Sequence, residues 1–346
     1  MTRRELVEIG VSAAVVAVAA VCALGGLNDV LTFAVTAVAL AALARLVGTA
    51  TEQLGGRLGS GGAGVVQSAL GNLPELFVAL FALNAGLDQV VQSALVGSVL
   101  ANSMLVLGLA FTVGGLRNGT QRFSSQRARL IATLTLLAAA TMAVPSLAHE
   151  FHTPAAEHGE ALSLVCAGVL LAIFVLTLPS FLTSAEGEEH EPPRWSVALT
   201  GAVLGGAAGA AALVSDWFVD ALTPAIHTLH MSEDFAGLVV VAIAGNAVEN
   251  VVGVQLAARN RPEFAISVIM NSSLQVALAL TPAIVFLSLF FGTHLVLTFP
   301  VLLAFSLLLA GILATVIVVD GESTWQEGAV LVGLYVVIAA SFWWGT

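Results

Sequence analysis

Two glutamates occupy matching positions inside long apolar stretches of the chain. Residues 71–75 read Gly-Asn-Leu-Pro-Glu, and residues 245–249 read Gly-Asn-Ala-Val-Glu. An ionised carboxylate in an apolar span is costly unless it is protonated, paired or bound to a cation. No Lys or Arg lies in any central apolar span, so Glu75 and Glu249 are expected to hold protons or a metal ion.

Neutral polar residues accompany each acid at the same spacing. An asparagine stands three residues before each glutamate, and this spacing on a helix places both side chains on one face. A serine follows each glutamate at the same interval and begins a second polar patch, while Pro74 and Gly71 are expected to loosen the first helix and free carbonyl oxygens. We expect an all-oxygen cage whose neutral members are Asn72, Asn246, Ser98, Asn102, Ser272 and Gln275.

An oxygen cage with two carboxylates favours a hard divalent cation. Ca²⁺ accepts roughly 6–8 oxygen ligands in flexible geometry, Mg²⁺ keeps its waters, and Mn²⁺ would tolerate the same ligands as Ca²⁺. Burial and mutual repulsion favour the protonated carboxyls when the metal is absent. One Ca²⁺ or two protons would each neutralise the pair, which is the physical requirement for obligatory exchange. No separate cofactor is expected.

The composition is that of an integral membrane protein. Hydrophobic residues make up 58% of the 346 residues and charged residues 10%. A soluble protein needs a surface with roughly a quarter to a third charged residues. Membrane lipid is therefore an expected partner and nucleic acid is not, while the oligomeric state is left open.

Eleven apolar stretches approach the roughly 20 residues that a helix needs to cross a bilayer. The arginines all fall in loops or at span ends on one side under this count, which predicts a cytoplasmic N-terminus and an outer C-terminus. Helices that are rich in Ala and Val and free of Lys suit a prokaryotic inner membrane. The predicted spans are 7–25, 29–47, 62–85, 89–114, 127–147, 161–182, 195–219, 233–257, 262–290, 295–319 and 325–343.

The fold class predicted from these spans is an all-α polytopic membrane protein with an internal repeat. Residues 1–28 form an extra N-terminal transmembrane helix, and residues 29–182 and 195–346 form two five-helix repeats of opposite orientation. An acidic cytoplasmic linker at 183–194 joins them. Inverted repeats are typical of secondary transporters that work by alternating access.

The two polar regions resemble the α-repeats of the calcium/proton antiporters, within the calcium/cation antiporter superfamily. The first resemblance runs from Gly71 through the Gly97–Asn102 stretch to Gly108, and the second from Gly245 to Gln275. The resemblance implies that Glu75 and Glu249 carry the cation and the proton in turn. It also implies that the six neutral residues supply oxygens or gating contacts, and that the protein exchanges Ca²⁺ for H⁺.

Three residues depart from the family pattern and keep alternatives open. Pro74 stands where proton-coupled members usually have Thr, Asn250 replaces a common His, and Asn271 a common Gly. Pro before Glu is more typical of sodium/calcium exchangers, so sodium coupling is one alternative and a Mn²⁺ antiporter another. A channel fits two inverted halves less well than a transporter. Motifs of intramembrane enzymes are absent from the sequence, so no enzymatic activity is expected.

Overall fold

The computed structural model describes residues 1–184 and 194–345, nearly all of them in helices. The predicted linker at 183–194 therefore lies largely outside the described residues. The elements in chain order are α1 (Arg3–Leu24), α2 (Asp29–Leu70), α3 (Leu73–Asn84), α4 (Asp88–Leu100), a π-helical turn (Ala101–Val106), α5 (Leu107–Asn118), β1 (Gln121–Arg122), α6 (Ser125–Glu150), a 3₁₀ turn (Pro154–His158), α7 (Gly159–Ser184), α8 (Val197–Leu229), α9 (Glu233–Phe235), a π-helical turn (Ala236–Val241), α10 (Ala242–Gly245), α11 (Ala247–Ala258), α12 (Pro262–Gln275), a π-helical turn (Val276–Leu280), α13 (Thr281–Ser288), α14 (Val301–Ile317), β2 (Glu322–Ser323) and α15 (Trp325–Phe342).

Eight of the described helices are long and apolar enough to cross a membrane. A ninth span results if the bent pair Glu233–Gly245 and Glu249–Ala258 counts as one. The prediction of an all-helical polytopic membrane protein is confirmed at this level. The remaining expected spans correspond to shorter apolar helices, Leu73–Asn84 and Val301–Ile317, so the count of eleven stays a prediction.

The chain forms two compact units that each combine pieces of both predicted halves. Unit 1 consists of Met1–Ala85 and Ala172–His230, and unit 2 consists of Gly86–Leu171 and Met231–Thr346. The boundaries of the two compact units therefore differ from the predicted repeat boundaries.

In unit 1 the long helix α2 packs along α8, with α1 and α3 beside them. Phe33 of α2 stacks on Phe218 of α8 at a ring-centroid distance of 5.0 Å. The indole of the buried Trp195 donates a hydrogen bond to Glu5, and its carbonyl accepts one from Arg57. These contacts tie the start of α8 to α1 and α2.

The sequence prediction of a break between 47 and 62 is wrong. Helix α2 runs without interruption over the 42 residues Asp29–Leu70. The polar and glycine-rich stretch in this region is part of the helix rather than a loop. Glycine weakens a helix but does not end it as proline does, and no proline lies between 29 and 70.

In unit 2 glycines let helices α4 and α9–α10 approach closely. A Cβ atom at Gly97 would lie 2.4 Å from the carbonyl oxygen of Leu238, and one at Gly237 would lie 2.4 Å from that of Val90. Any larger side chain would force the backbones apart, because interiors have little free volume. This contact places α4 directly against the helix that leads to Asn246.

The predicted span 295–319 is helical only from Val301 onward. The preceding residues are non-helical, and serine hydroxyls serve their backbone: Ser288 accepts from the N–H of Leu295 at 2.9 Å, and Ser163 from that of Leu297 at 2.9 Å. Ser146 accepts from Phe299 N–H at 2.8 Å. Pro300 at the N-cap disfavours helix before it, and backbone groups away from water need such partners.

Contacts within unit 2 join loops that the arginine pattern places on one side. In unit 2, β1 pairs antiparallel with β2, and Arg122 lies 3.1 Å from Glu322; both strands fall in predicted cytoplasmic loops. On the opposite predicted side, His294 contacts Glu160 at 2.9 Å. The described contacts are therefore consistent with the predicted sidedness of these loops.

Candidate cation site

Each predicted acid follows a break in a helix. Asn72 separates α2 from α3, and Asn246 separates α10 from α11. Their backbone angles nearly coincide, with φ −98° and ψ 17° at Asn72 and φ −101° and ψ 20° at Asn246. The two halves thus build the same local backbone from the same Gly-Asn pair.

The break places each glutamate in the first turn of a new helix. Glu75 is the third residue of α3 and Glu249 the third residue of α11. The positive end of a helix dipole stabilises an ionised carboxylate there. The helix that ends just before each break leaves carbonyl oxygens without intrahelical partners, and such oxygens are suited to bind a cation.

The loosening predicted for the first half at Gly71 and Pro74 is confirmed, because α2 ends at Leu70 and Pro74 lies in the first turn of α3. The second half breaks without a proline. There the segments Glu233–Gly245 and Glu249–Ala258 meet at a bend of 64°. Apart from its Gly-Asn pair, no sequence feature indicates this second break.

In unit 2 four of the predicted neutral residues form one hydrogen-bonded group, which we call the Asn246 cluster: Ser98, Asn102, Asn246 and Ser272. Oδ1 of Asn246 accepts from Nδ2 of Asn102 and from Oγ of Ser272, each at 3.1 Å. Nδ2 of Asn246 donates to Oγ of Ser98 at 3.1 Å and to the carbonyl of Ala242 at 2.9 Å. All four side chains are buried.

The Asn246 cluster retains oxygen lone pairs for a ligand. Oδ1 of Asn102 is buried and has no hydrogen-bond partner among the described residues. A serine hydroxyl that donates one hydrogen bond still carries acceptor lone pairs. Ser98 and Asn102 come from the α4 helix and its π-helical turn, and Ser272 from α12. Three separate elements therefore fix these oxygens around the helix break.

Glu249 and Gln275, the remaining predicted residues of unit 2, are both partly exposed. Glu249 lies three residues beyond Asn246, which is just under one helical turn. Gln275 is the last residue of α12 before the π-helical turn Val276–Leu280. Position along the chain thus places both close to the cluster.

Asn72 and Glu75 belong to unit 1. Glu75 is buried, and Asn72 is partly exposed at the N-cap of α3, a helix that packs against α8. The structure thus brings together Ser98, Asn102, Asn246 and Ser272. The convergence of all eight predicted side chains stays a prediction.

Three polar residues near these elements were not among the predicted ligands. The amide oxygens of Asn250 and Asn271 are buried without a hydrogen-bond partner among the described residues. Asp234 is fully buried, and its carboxylate accepts from Oγ of Ser93 at 2.7 Å and from Nε2 of Gln89 at 3.0 Å. No sequence pattern singled out Asp234, because its partners Gln89 and Ser93 lie more than a hundred residues away.

Comparison with known proteins identifies the family. The family described as Sodium/calcium exchanger protein matches twice, over residues 28–183 and 199–344. The Ca²⁺/H⁺ antiporter ChaA of Bacillus subtilis is 33% identical over 90% of this chain and 91% of its own length. The Ca²⁺/H⁺ antiporter of Synechocystis is 30% identical over 92% of both chains.

A solved structure has the same fold along nearly the whole chain. The selenium-substituted Ca²⁺/H⁺ antiporter protein YfkE superposes with a TM-score of 0.83 at 30% identity, covering 99% of each chain. The resemblance to calcium/proton antiporters that the two Gly-Asn motifs indicated is confirmed. The chain belongs to the sodium/calcium exchanger protein family.

Proposed function

We propose that the protein is a secondary antiporter that exchanges Ca²⁺ for H⁺ across a membrane by alternating access. The observation that carries the proposal is the Asn246 cluster, a buried group of amides and hydroxyls at a helix break that is followed within one turn by Glu249. The same backbone break precedes Glu75. Relatives named Ca²⁺/H⁺ antiporters support the choice of ions.

In this proposal Glu75 and Glu249 bind Ca²⁺ or protons in turn. One divalent cation or two protons neutralise two carboxylates, and the empty, charged site is held back by the cost of moving charge through an apolar barrier. Exchange is then obligatory because only loaded forms cross. The neutral oxygens proposed to complete the Ca²⁺ shell are Asn72, Asn246, Ser98, Asn102, Ser272 and Gln275.

The relatives are transporters rather than enzymes, and their names indicate substrates rather than cofactors. Ca²⁺ and H⁺ are accordingly cargo. Mn²⁺ remains the alternative metal because it accepts the same oxygen ligands.

Sodium is the alternative coupling ion. Pro74 resembles the sodium-coupled pattern, but an asparagine follows each glycine where sodium-coupled members carry hydroxyl residues. Fewer hydroxyl oxygens beside the acids disfavour a Na⁺ shell. Proton coupling is therefore the first choice.

We further propose the layout of one N-terminal helix and two inverted five-helix repeats. The family's two matches, each beginning close to a predicted repeat boundary, support two homologous halves. The nearly identical backbone angles at Asn72 and Asn246 support the same division. The predicted setting is a prokaryotic inner membrane with lipid as partner.

The proposed orientation places the N-terminus in the cytoplasm and the C-terminus outside. We expect single cysteines at Gly119 and Gly159, in a background without Cys22 and Cys166, to react from opposite faces of the membrane. Both positions begin or end helices of unit 2. An impermeant thiol reagent applied to cells and to inverted vesicles checks this, and labelling of both from one face contradicts the topology.

Metal-driven proton flux in sealed liposomes tests the function directly. We expect an inward Ca²⁺ gradient to move protons out of liposomes that contain the protein, without any sodium, as read by a trapped pH dye. Protein-free liposomes with a proton ionophore present serve as the leak control. Flux that appears only after Na⁺ is added favours the sodium alternative, and absence of flux under both conditions overturns the antiporter proposal.

A further inference from the structure

Helix α12 carries a line of polar residues that runs to the end of the helix. Glu263, Ser267, Asn271 and Gln275 follow one another at four-residue spacing and share one face. The opposite face is apolar and packed, since Ile269 is fully buried and a Cβ atom on Gly253 of α11 would lie 2.5 Å from it. Packing against α11 therefore does not account for the polar line.

The line starts in a cleft of unit 2 that we call the α12 cleft. The cleft is small, with a volume of about 10 Å³, which is room for about one water-sized group. The carboxylate of Glu263 is held in place by the backbone N–H of Ser124 at 3.0 Å. Arg127 also borders the cleft, so one charge of each sign lies there. The residues that line it are Phe123, Ser124, Arg127, Ala128, Ile131, Glu263, Ile266 and Ser267.

Asn271 lies one turn beyond the cleft. Its Nδ2 donates to Oγ of Ser267 at 3.2 Å, whereas its Oδ1 is buried and has no hydrogen-bond partner among the described residues. Buried carbonyl oxygens almost always have a partner, so an orphaned one indicates a ligand or a bound water. An amide oxygen is also a preferred ligand of hard divalent cations.

The matched face of α4 shows a different use of the same positions. Gly97 and Asn271 each directly precede a matched serine, and Ser93 matches Ser267. On α4 this face is closed, because Ser93 donates to Asp234 and Gly97 abuts the backbone of Leu238. On α12 Ser267 borders the α12 cleft, and Asn271, one turn beyond it, carries an amide in place of the glycine.

We infer that Asn271 Oδ1 is a further oxygen ligand of the transported divalent cation, which reaches it through the α12 cleft past Glu263 and Ser267. From Asn271 the next residue is Ser272 of the Asn246 cluster, so the cation passes from one set of oxygens to the next. This inference rests on the proposed function. It adds a ligand that the matched half does not have, because Gly97 offers no side chain.

The test replaces Asn271 by leucine, which has nearly the same size but no oxygen. In the purified full chain we expect Asn271→Leu to raise the Kd for Ca²⁺ about tenfold, measured as Ca²⁺-dependent thermal stabilisation. The melting temperature without Ca²⁺ should stay equal or rise, because a buried amide oxygen without a partner is removed. Asn271→Asp keeps an oxygen and should bind Ca²⁺ at least as tightly as the unaltered protein.

Asn118→Leu is the matched control, since Nδ2 of Asn118 donates to the carbonyls of Gly114 and Ala257 within the same unit. We expect a lower melting temperature and an unchanged Kd for Ca²⁺. A Kd of Asn271→Leu within twofold of the unaltered protein overturns the inference and assigns the oxygen to a bound water. If the unaltered protein itself shows neither Ca²⁺ stabilisation nor exchange, the proposed function fails, and the inference fails with it.

Discussion

Replacing Glu75 or Glu249 by glutamine is expected to abolish Ca²⁺ exchange in both variants. Glutamine keeps the shape of the side chain but cannot release a proton or offset a positive charge. A bound Ca²⁺ would then leave one positive charge uncompensated in an apolar setting, which costs several kcal/mol. Since 1.4 kcal/mol is a factor of ten, we expect a loss of at least about a hundredfold in rate.

The measurement is ⁴⁵Ca²⁺ exchange in liposomes that contain equal amounts of each folded variant. Glu322→Gln is the control, because Glu322 is partly exposed beside Arg122 in the strand pair and should exchange at the normal rate. Folding of the variants is expected to persist, since each glutamate lies in the first turn of its helix and glutamine is accepted there. Ca²⁺ exchange by either variant at a rate close to that of the unaltered protein would contradict the two-carboxylate mechanism.

Lowering the pH is expected to weaken apparent Ca²⁺ affinity steeply. Ca²⁺ binds the ionised carboxylates and protons bind the same oxygens, so protons must leave as the metal binds. Affinity should therefore be highest at high pH and fall as pH drops through the titration of the pair. Two competing protons give a limiting slope of up to about a hundredfold per pH unit, because each contributes tenfold.

Equilibrium ⁴⁵Ca²⁺ binding between pH 5 and pH 9 in sodium-free buffer measures this slope. The matched comparison adds Na⁺ at constant ionic strength, which should leave the curve unchanged under proton coupling. If the Ca²⁺ affinity does not change with pH but falls with Na⁺, the coupling ion is sodium, as Pro74 suggests, and not the proton that the two Gly-Asn pairs suggest. The proton assignment would then be wrong.

Composition and spacing predicted much of the fold because every backbone polar group within a membrane needs an internal hydrogen bond, and a helix supplies these bonds within one apolar run. The scarcity of charge and the length of the apolar runs identified a polytopic helical protein. Interruptions were harder to predict. The stretch after Val47 contains glycine and charge but no proline, so local composition suggested a loop where α2 continues.

The reverse error occurred before Val301. The stretch 295–300 is apolar and looks helical, yet the hydroxyls of Ser146, Ser163 and Ser288 accept hydrogen bonds from its backbone N–H groups. Two of these serines are far away in sequence: Ser146, which accepts from Phe299, and Ser163, which accepts from Leu297, each lie more than a hundred residues from their donor. Only tertiary structure reveals them.

The candidate site was predictable where the repeat could be used. Matching the two halves selected Ser98, Asn246 and Ser272 before any contact was known, and the structure joins them through Asn246. Asn271 was not among the predicted ligands because the matching residue in the first half, Gly97, has no polar side chain. The repeat predicts only residues that both halves share, and Asn271 is polar in one half alone.

Two of the three described π-helical turns, Ala101–Val106 and Val276–Leu280, follow matched serines and share one hydrogen-bond pattern. In the first half the N–H of Leu107 reaches back five residues to the carbonyl of Asn102, and in the second the N–H of Thr281 does the same to Val276. A wide turn of this kind accommodates one extra residue and rotates all that follows by about 100°. Both halves carry it at the same distance from their matched serine. Side chains beyond each turn therefore face about 100° away from the direction that an uninterrupted helix would give them. Because the shift is the same in both places, Leu107 and Thr281 keep matching orientations relative to Ser98 and Ser272.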